Sequence, residues 1–139
     1  MSEKMDILVV EDSDNDFFFI ERALKGLKKA RKFQRVLNGE EALEYLRDHE
    51  ETLPRVILMD IHMPVMNGYA CLENIKALPK FRYIPVLIFS TMGTDYHAHR
   101  SLDLHAASHI VKPSTFAEYQ RILQSVEFYW FGTTLLPPS

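Results

Sequence analysis

Arg55-Val56-Ile57-Leu58-Met59-Asp60 sets four apolar residues in a row and ends on a carboxylate. An apolar run without polar alternation reads as a strand covered on both faces, which is the habit of parallel sheets. The pattern recurs outward from this segment. Asp6-Ile7-Leu8-Val9-Val10 runs into Glu11 and Asp12, Pro85-Val86-Leu87-Ile88-Phe89 into Ser90, and Ser108-His109-Ile110-Val111 into Lys112. With Lys32–Leu37, these predict strands over 6–10, 32–37, 55–60, 85–90 and 108–112. Helical patterning is expected over about 14–29, 39–49, 67–78, 94–106 and 115–131, with Asn38 as the N-cap of the second helix. Strands alternating with helices imply a parallel α/β sheet, reached by right-handed crossovers and covered on both faces. The first, third and fourth strands are the most apolar and belong at its centre.

The chain has 139 residues, 47% of them apolar and 25% charged, which suits one domain with a core of its own. We read 1–139 as that single domain, with a core over about 5–131 and an aromatic helix and tail beyond. A net charge of −3 argues against nucleic acid as a direct partner. The lone Cys71 cannot form an internal disulfide, and the charged start Met1–Asp6 has no signal-peptide pattern, so a reducing cytoplasm is expected. The apolar stretch Val126–Leu136 is interrupted and shorter than the roughly 20 residues that span a bilayer. No membrane association is expected.

In an open parallel sheet, ligands collect outside the carboxyl ends of the strands. Glu11, Asp12, Asp60, Ser90 and Lys112 all fall there. Taken singly, Asp60 reads as a turn cap, Asp12 as a helix cap and Lys112 as a solvated strand end. Together, converging carboxylates repel unless a cation neutralises them. An oxygen-only set with room for water suits magnesium, whereas the six histidines lack the spacing of a zinc motif. Magnesium beside Asp60 would let that carboxylate accept a phosphoryl group, with Lys112 and Ser90 near the phosphoryl oxygens.

The pair Glu11-Asp12, the loop Asp60-Ile61-His62-Met63-Pro64-Val65-Met66-Asn67-Gly68, Ser90 and Lys112-Pro113 together resemble a two-component response-regulator receiver domain. The resemblance implies a doubly wound, flavodoxin-like sheet of order 2-1-3-4-5. It implies a signalling protein rather than an enzyme, with Asp60 accepting phosphate from the phosphohistidine of a sensor kinase. Asp12 and Asp60 would bind Mg2+ directly, Glu11 mainly through water, and His62 through its backbone carbonyl. Gly68 would permit a tight turn through positive φ. The ending from Val126 to Pro138 is similar to that of small regulators paired with cyanobacterial and bacterial phytochromes, which implies a phytochrome as the kinase. A relay carrier of phosphate, or a receiver that binds partners without phosphorylation, are the alternatives within the family. Outside it, a haloacid-dehalogenase hydrolase would place an Asp where His62 stands, and a flavin carrier would not have the acidic loop Glu11–Asp16.

His109 stands where similar receivers carry a switching aromatic. It either swings toward Ser90 as part of the switch or sits exposed at a sheet edge. His62 and Met92 occupy positions that tune aspartyl-phosphate lifetime in similar domains. On the first helix, Phe19, Ile20, Ala23, Leu24 and Leu27 share one face. Phe18 lies opposite with Phe17 at the flank, and similar receivers dock the kinase there. On the last helix, Phe116, Tyr119, Ile122, Leu123, Val126 and Trp130 form the core stripe. Phe128, Phe131 and Leu135 form a second stripe, which is either a homodimer contact or a seat for the tail from Thr133.

Overall fold

In a computed structural model, residues 5–91 and 95–133 are described. The strands are β1 (Ile7–Val10), β2 (Phe33–Val36), β3 (Val56–Met59), β4 (Val86–Ser90) and β5 (Ser108–Val111). The helices are α1 (Asp14–Lys25), α2 (Gly39–Asp48), α3 (Gly68–Ala77), α4 (Asp95–Asp103) and α5 (Phe116–Val126). All strand pairs are parallel and the order is β2-β1-β3-β4-β5. The doubly wound expectation therefore holds. Every residue of β1, β3 and β4 is buried, as their unbroken apolar runs require.

Alternation along each strand divides the core into two layers. Leu8, Val10, Ile57, Met59 and Ile88 face Leu43, Leu46, Leu72 and Ile75 of α2 and α3. Ile7, Val9, Leu58, Leu87 and Phe89 face Ile20 and Leu24 of α1 and Tyr119 and Leu123 of α5. Each such side chain contributes about 1.5–3 kcal/mol by leaving water. Strand positions one apart therefore anchor opposite helices, and the strand ends between them are held from both sides.

Two helices end earlier than their patterns suggest. α1 stops at Lys25, where Gly26 closes the last turn by donating to the carbonyls of Arg22 and Ala23. Glycine costs about 1 kcal/mol relative to alanine in a helix interior, which favours the stop. α5 ends at Val126, and Glu127–Thr133 continue as a wider π-type turn. A wider turn rotates less per residue, so positions three apart no longer overlie one another. Phe128 stays 71% exposed, whereas Phe131 turns back onto the α1/α5 layer beneath the guanidiniums of Arg31 and Arg55. The expected second stripe is thus broken, and Leu135 and the tail lie outside the described residues.

Cys71 packs between α3 and α2, fully buried, with its Sγ 3.5 Å from the Gly39 carbonyl. Burial pushes its thiol up to about 12. Since only the thiolate reacts, iodoacetamide labelling at pH 8 should be on the order of a thousand-fold slower in the native protein than in the unfolded chain. Equal rates would mean that the α2–α3 contact opens readily.

Candidate functional site

The pocket forms where β1 and β3 end side by side. Val10 is registered against Met59, so the next residues, Glu11 and Asp60, emerge as neighbours. The ladder continues through both, since Glu11 N donates to the Val36 carbonyl and Asp60 N to the Val10 carbonyl. Both acids are buried, at 1% and 7% exposure, while Asp12 is exposed. One oxygen each of Glu11, Asp12 and Asp60 lies within 4.8 Å of the others. Ser13, not Asp12, caps α1: its hydroxyl accepts from Asp16 N at 3.2 Å. Asp12 is thereby left for the pocket.

Lys112 closes the pocket from the end of β5. Its backbone N donates to the Ser90 carbonyl at 2.8 Å, which ties β5 to β4 beyond the paired strands. Its side chain is only 5% exposed, so it is no solvated strand end. Nζ donates to Glu11 Oε1 at 2.7 Å and to Asp16 Oδ2 at 2.7 Å, and lies 3.6 Å from Asp60 Oδ2. Burial alone would lower its pKa, but its hydrogen bonds to Asp16 and Glu11 and the charges of Glu11 and Asp60 hold it above the ordinary lysine range. Burial pushes Glu11 up to about 7; the Lys112 hydrogen bond opposes this and the Asp60 charge adds to it. Three carboxylates thus face a single ammonium, and Asp12 adds a fourth beside Glu11 and Asp60. The donor set is all oxygen and its charge is uncompensated, which fits a divalent cation such as Mg2+.

Asp60 is further oriented by its own loop. Oδ1 accepts from Ile61 N at 2.8 Å, which leaves Oδ2 toward Lys112. Gly68 N returns to the Ile61 carbonyl at 2.8 Å. The glycine is needed for close approach, not for positive φ as expected: no described glycine has positive φ. A Cβ at Gly68 would sit 2.3 Å from the Asp60 carbonyl oxygen and 2.8 Å from Ile61 Cα. Positive φ falls instead on Val65, at 67°. Such a conformation in a β-branched residue stores on the order of 1–3 kcal/mol.

Ser90 is fully buried at the end of β4. His109 is half-buried rather than exposed at the sheet edge, and its Nδ1 lies 2.8 Å from the hydroxyl of buried Ser101 on α4. His62 is exposed next to the pocket, and Met92 lies outside the described residues. Phe18 is 53% exposed, with its ring edge against Phe19. Phe17 instead packs on Phe33 and beneath the Arg35 guanidinium.

Two residues escaped the sequence reading. In sequence Asp16 reads only as part of the acidic loop Glu11–Asp16, whereas it falls in the first turn of α1. Arg35 on β2 donates from Nε to the Glu11 carbonyl at 2.9 Å and pairs with Asp14 at 2.9 Å. It pins the acidic loop to the sheet, and no feature of Phe33–Val36 marks it in advance.

With this geometry in place, comparison with known proteins identifies the class. Residues 7–124 match the response regulator receiver domain, and the chain belongs to that family. Among its relatives are the probable methanogenesis regulatory protein FilR2 of Methanothrix harundinacea (33% identical; 94% of this chain, 86% of that one) and the response regulator Rcp1 of Synechocystis sp. (27% identical; 94% and 92%). The phosphorylated cyanobacterial phytochrome response regulator RcpA superposes with a TM-score of 0.88 at 31% identity, covering 97% of this chain and 99% of that one. A crystal structure of Rcp1 is of its Mn(2+)-bound form. Receiver domains are signalling proteins, and phosphorylation and Mg2+ binding at an acidic pocket are general to them. Among the described residues no helix is long and apolar enough to cross a membrane.

Gly68→Ala tests how closely the loop is fitted to the acceptor. Overpacking against backbone should cost about 3 kcal/mol in urea unfolding. A loss below about 1 kcal/mol would mean that the loop yields freely.

Proposed function

We propose that this chain is a receiver switch in which Asp60 accepts a phosphoryl group from a sensor histidine kinase. The observation that carries the reading is the buried Lys112 ammonium, 3.6 Å from Asp60 Oδ2 and beside the oxygen triad of Glu11, Asp12 and Asp60. Asp60 Oδ2 attacks phosphorus, the bond from phosphorus to the donor's imidazole nitrogen breaks, and that nitrogen keeps the electron pair. Glu11, Asp12 and Asp60 would hold Mg2+, with the His62 carbonyl as a further ligand. The ion, when bound, supplies charge neutralisation for the phosphoryl oxygens. Lys112 and the Ser90 hydroxyl pair with those oxygens once phosphate is attached. Ser90 and His109 would carry the change toward α4, to which His109 is joined through Ser101. Incubation with Mg2+ and acetyl phosphate should add one phosphoryl group by intact mass to the wild type and none to Asp60→Asn. Equal labelling of both would overturn the assignment.

The kinase, by this reading, docks on α1, whose first turn reaches the pocket through Asp16 and on which Phe18 is exposed. A phytochrome is the sensor we favour, on the likeness to Rcp1 and RcpA. A second surface lies at β5 and the end of α5. A groove of about 700 Å³ there is lined by Ile110, Ile122, Tyr129 and Trp130, while Phe128 is exposed on the side of the chain toward Gly26, Leu27 and Lys28. We assign the exposed end of α5 and the turn after it to a homodimer whose contacts change with phosphorylation, with Phe128 at its centre and Phe131 as support from below. Phe128→Lys should convert a dimer to a monomer in sedimentation velocity; a dimer that persists would place the contact elsewhere.

A further inference from the structure

The pocket poses a competition between two cations. Lys112 Nζ is 2.7 Å from Glu11 Oε1 and 3.6 Å from Asp60 Oδ2. Glu11 and Asp60 also supply two of the three converging oxygens of the triad. An ammonium resting fully on both would occupy lone pairs that a divalent ion needs, and its positive charge would repel that ion. Asp16 stands outside the triad and holds Lys112 from the other side at 2.7 Å. It reaches from the first turn of α1 to the end of β5, across 96 residues of sequence.

An acid in the first turn of a helix is favourable for the helix dipole alone, and this is the simpler account of Asp16. That role leaves the carboxylate in solvent. Here the Asp16 side chain is 32% exposed, and its Oδ2 is spent on an ammonium that is 5% exposed. Asp14, in the same turn, is 94% exposed and serves the helix end equally well. The placement of Asp16 is therefore tied to Lys112.

We propose that Asp16 is a positioning residue that draws Lys112 to the α1 side of the pocket and holds it off Asp60, so that Asp60 stays open to a divalent cation while the ammonium rests on Asp16 and Glu11. The inference rests on the reading of the triad as the metal site. Asp16 gives the ammonium a partner that the metal does not claim, so both cations can be present when phosphate arrives. Without it, Lys112 moves onto Asp60 as well as Glu11 and competes with the metal for both.

The test is a double-mutant cycle read by calorimetric titration of metal-free protein with MgCl2. Asp16→Asn should weaken Mg2+ binding about ten-fold in the parent and hardly at all in the Lys112→Met background. Asp16→Glu should restore most of the affinity. Asp16→Ser, also compatible with a first helical turn, serves the same comparison if the amide variant folds poorly. Equal weakening in both backgrounds would reduce Asp16 to one more negative charge, and no weakening in the parent would remove it from the pocket's chemistry; either overturns the proposal. If the parent binds no Mg2+, the reading of the triad falls first and this inference with it.

Discussion

The chain's most demanding constraint is the set of carboxylates that β1 and β3 bring together at their ends. Two buried acids on adjacent strands would repel strongly in a medium poorer than water at screening charge. Lys112 answers part of that repulsion and is itself kept charged by the acids around it. Removing the ammonium would leave buried carboxylates unpaired, which is far costlier than the pair is worth in net stability. The site is therefore held in a state of partial neutralisation. That state suits a switch whose input is a divalent ion and a phosphoryl group.

The scaffold concentrates this tension at one point. Apolar strands fasten α1 and α5 to one face of the sheet and α2 and α3 to the other, so the strand ends have little freedom. Arg35 holds the Glu11 carbonyl, Ser13 starts α1, and Gly68 lets the loop after Asp60 fold against its own backbone. Around the pocket, side chains with polar partners to exchange include Lys112, held on Asp16 and Glu11, and His109, held on Ser101. These lead toward α1 on one side and toward β5 and α4 on the other.

Much of this was legible in sequence because buried parallel strands write themselves as unbroken apolar runs. Val56–Met59, Ile7–Val10 and Val86–Phe89 could be placed at the centre, and the polar residue after each could be assigned to one rim. Local signals also worked where one side chain does one job, as Asn38 does in capping α2 through Glu41 N at 2.9 Å. What was not legible depended on three-dimensional proximity. Asp16 meets Lys112 only because α1 starts at the strand ends and β5 finishes there, and Arg35 looks like any charged residue on an edge strand. The π-type turn after Val126 separated Phe128 from Phe131, although helical spacing had placed them together. At Gly68 the residue was singled out correctly for a different physical reason, since contact with the Asp60 carbonyl requires the absence of a Cβ.

The switch depends on where two cations sit. Anomalous diffraction from crystals grown with manganese locates the metal independently of any assumption about its ligands. One peak is expected between Glu11, Asp12 and Asp60, with Lys112 still hydrogen-bonded to Asp16. A peak elsewhere, or Lys112 displaced from Asp16 into solvent by the metal, would contradict this arrangement.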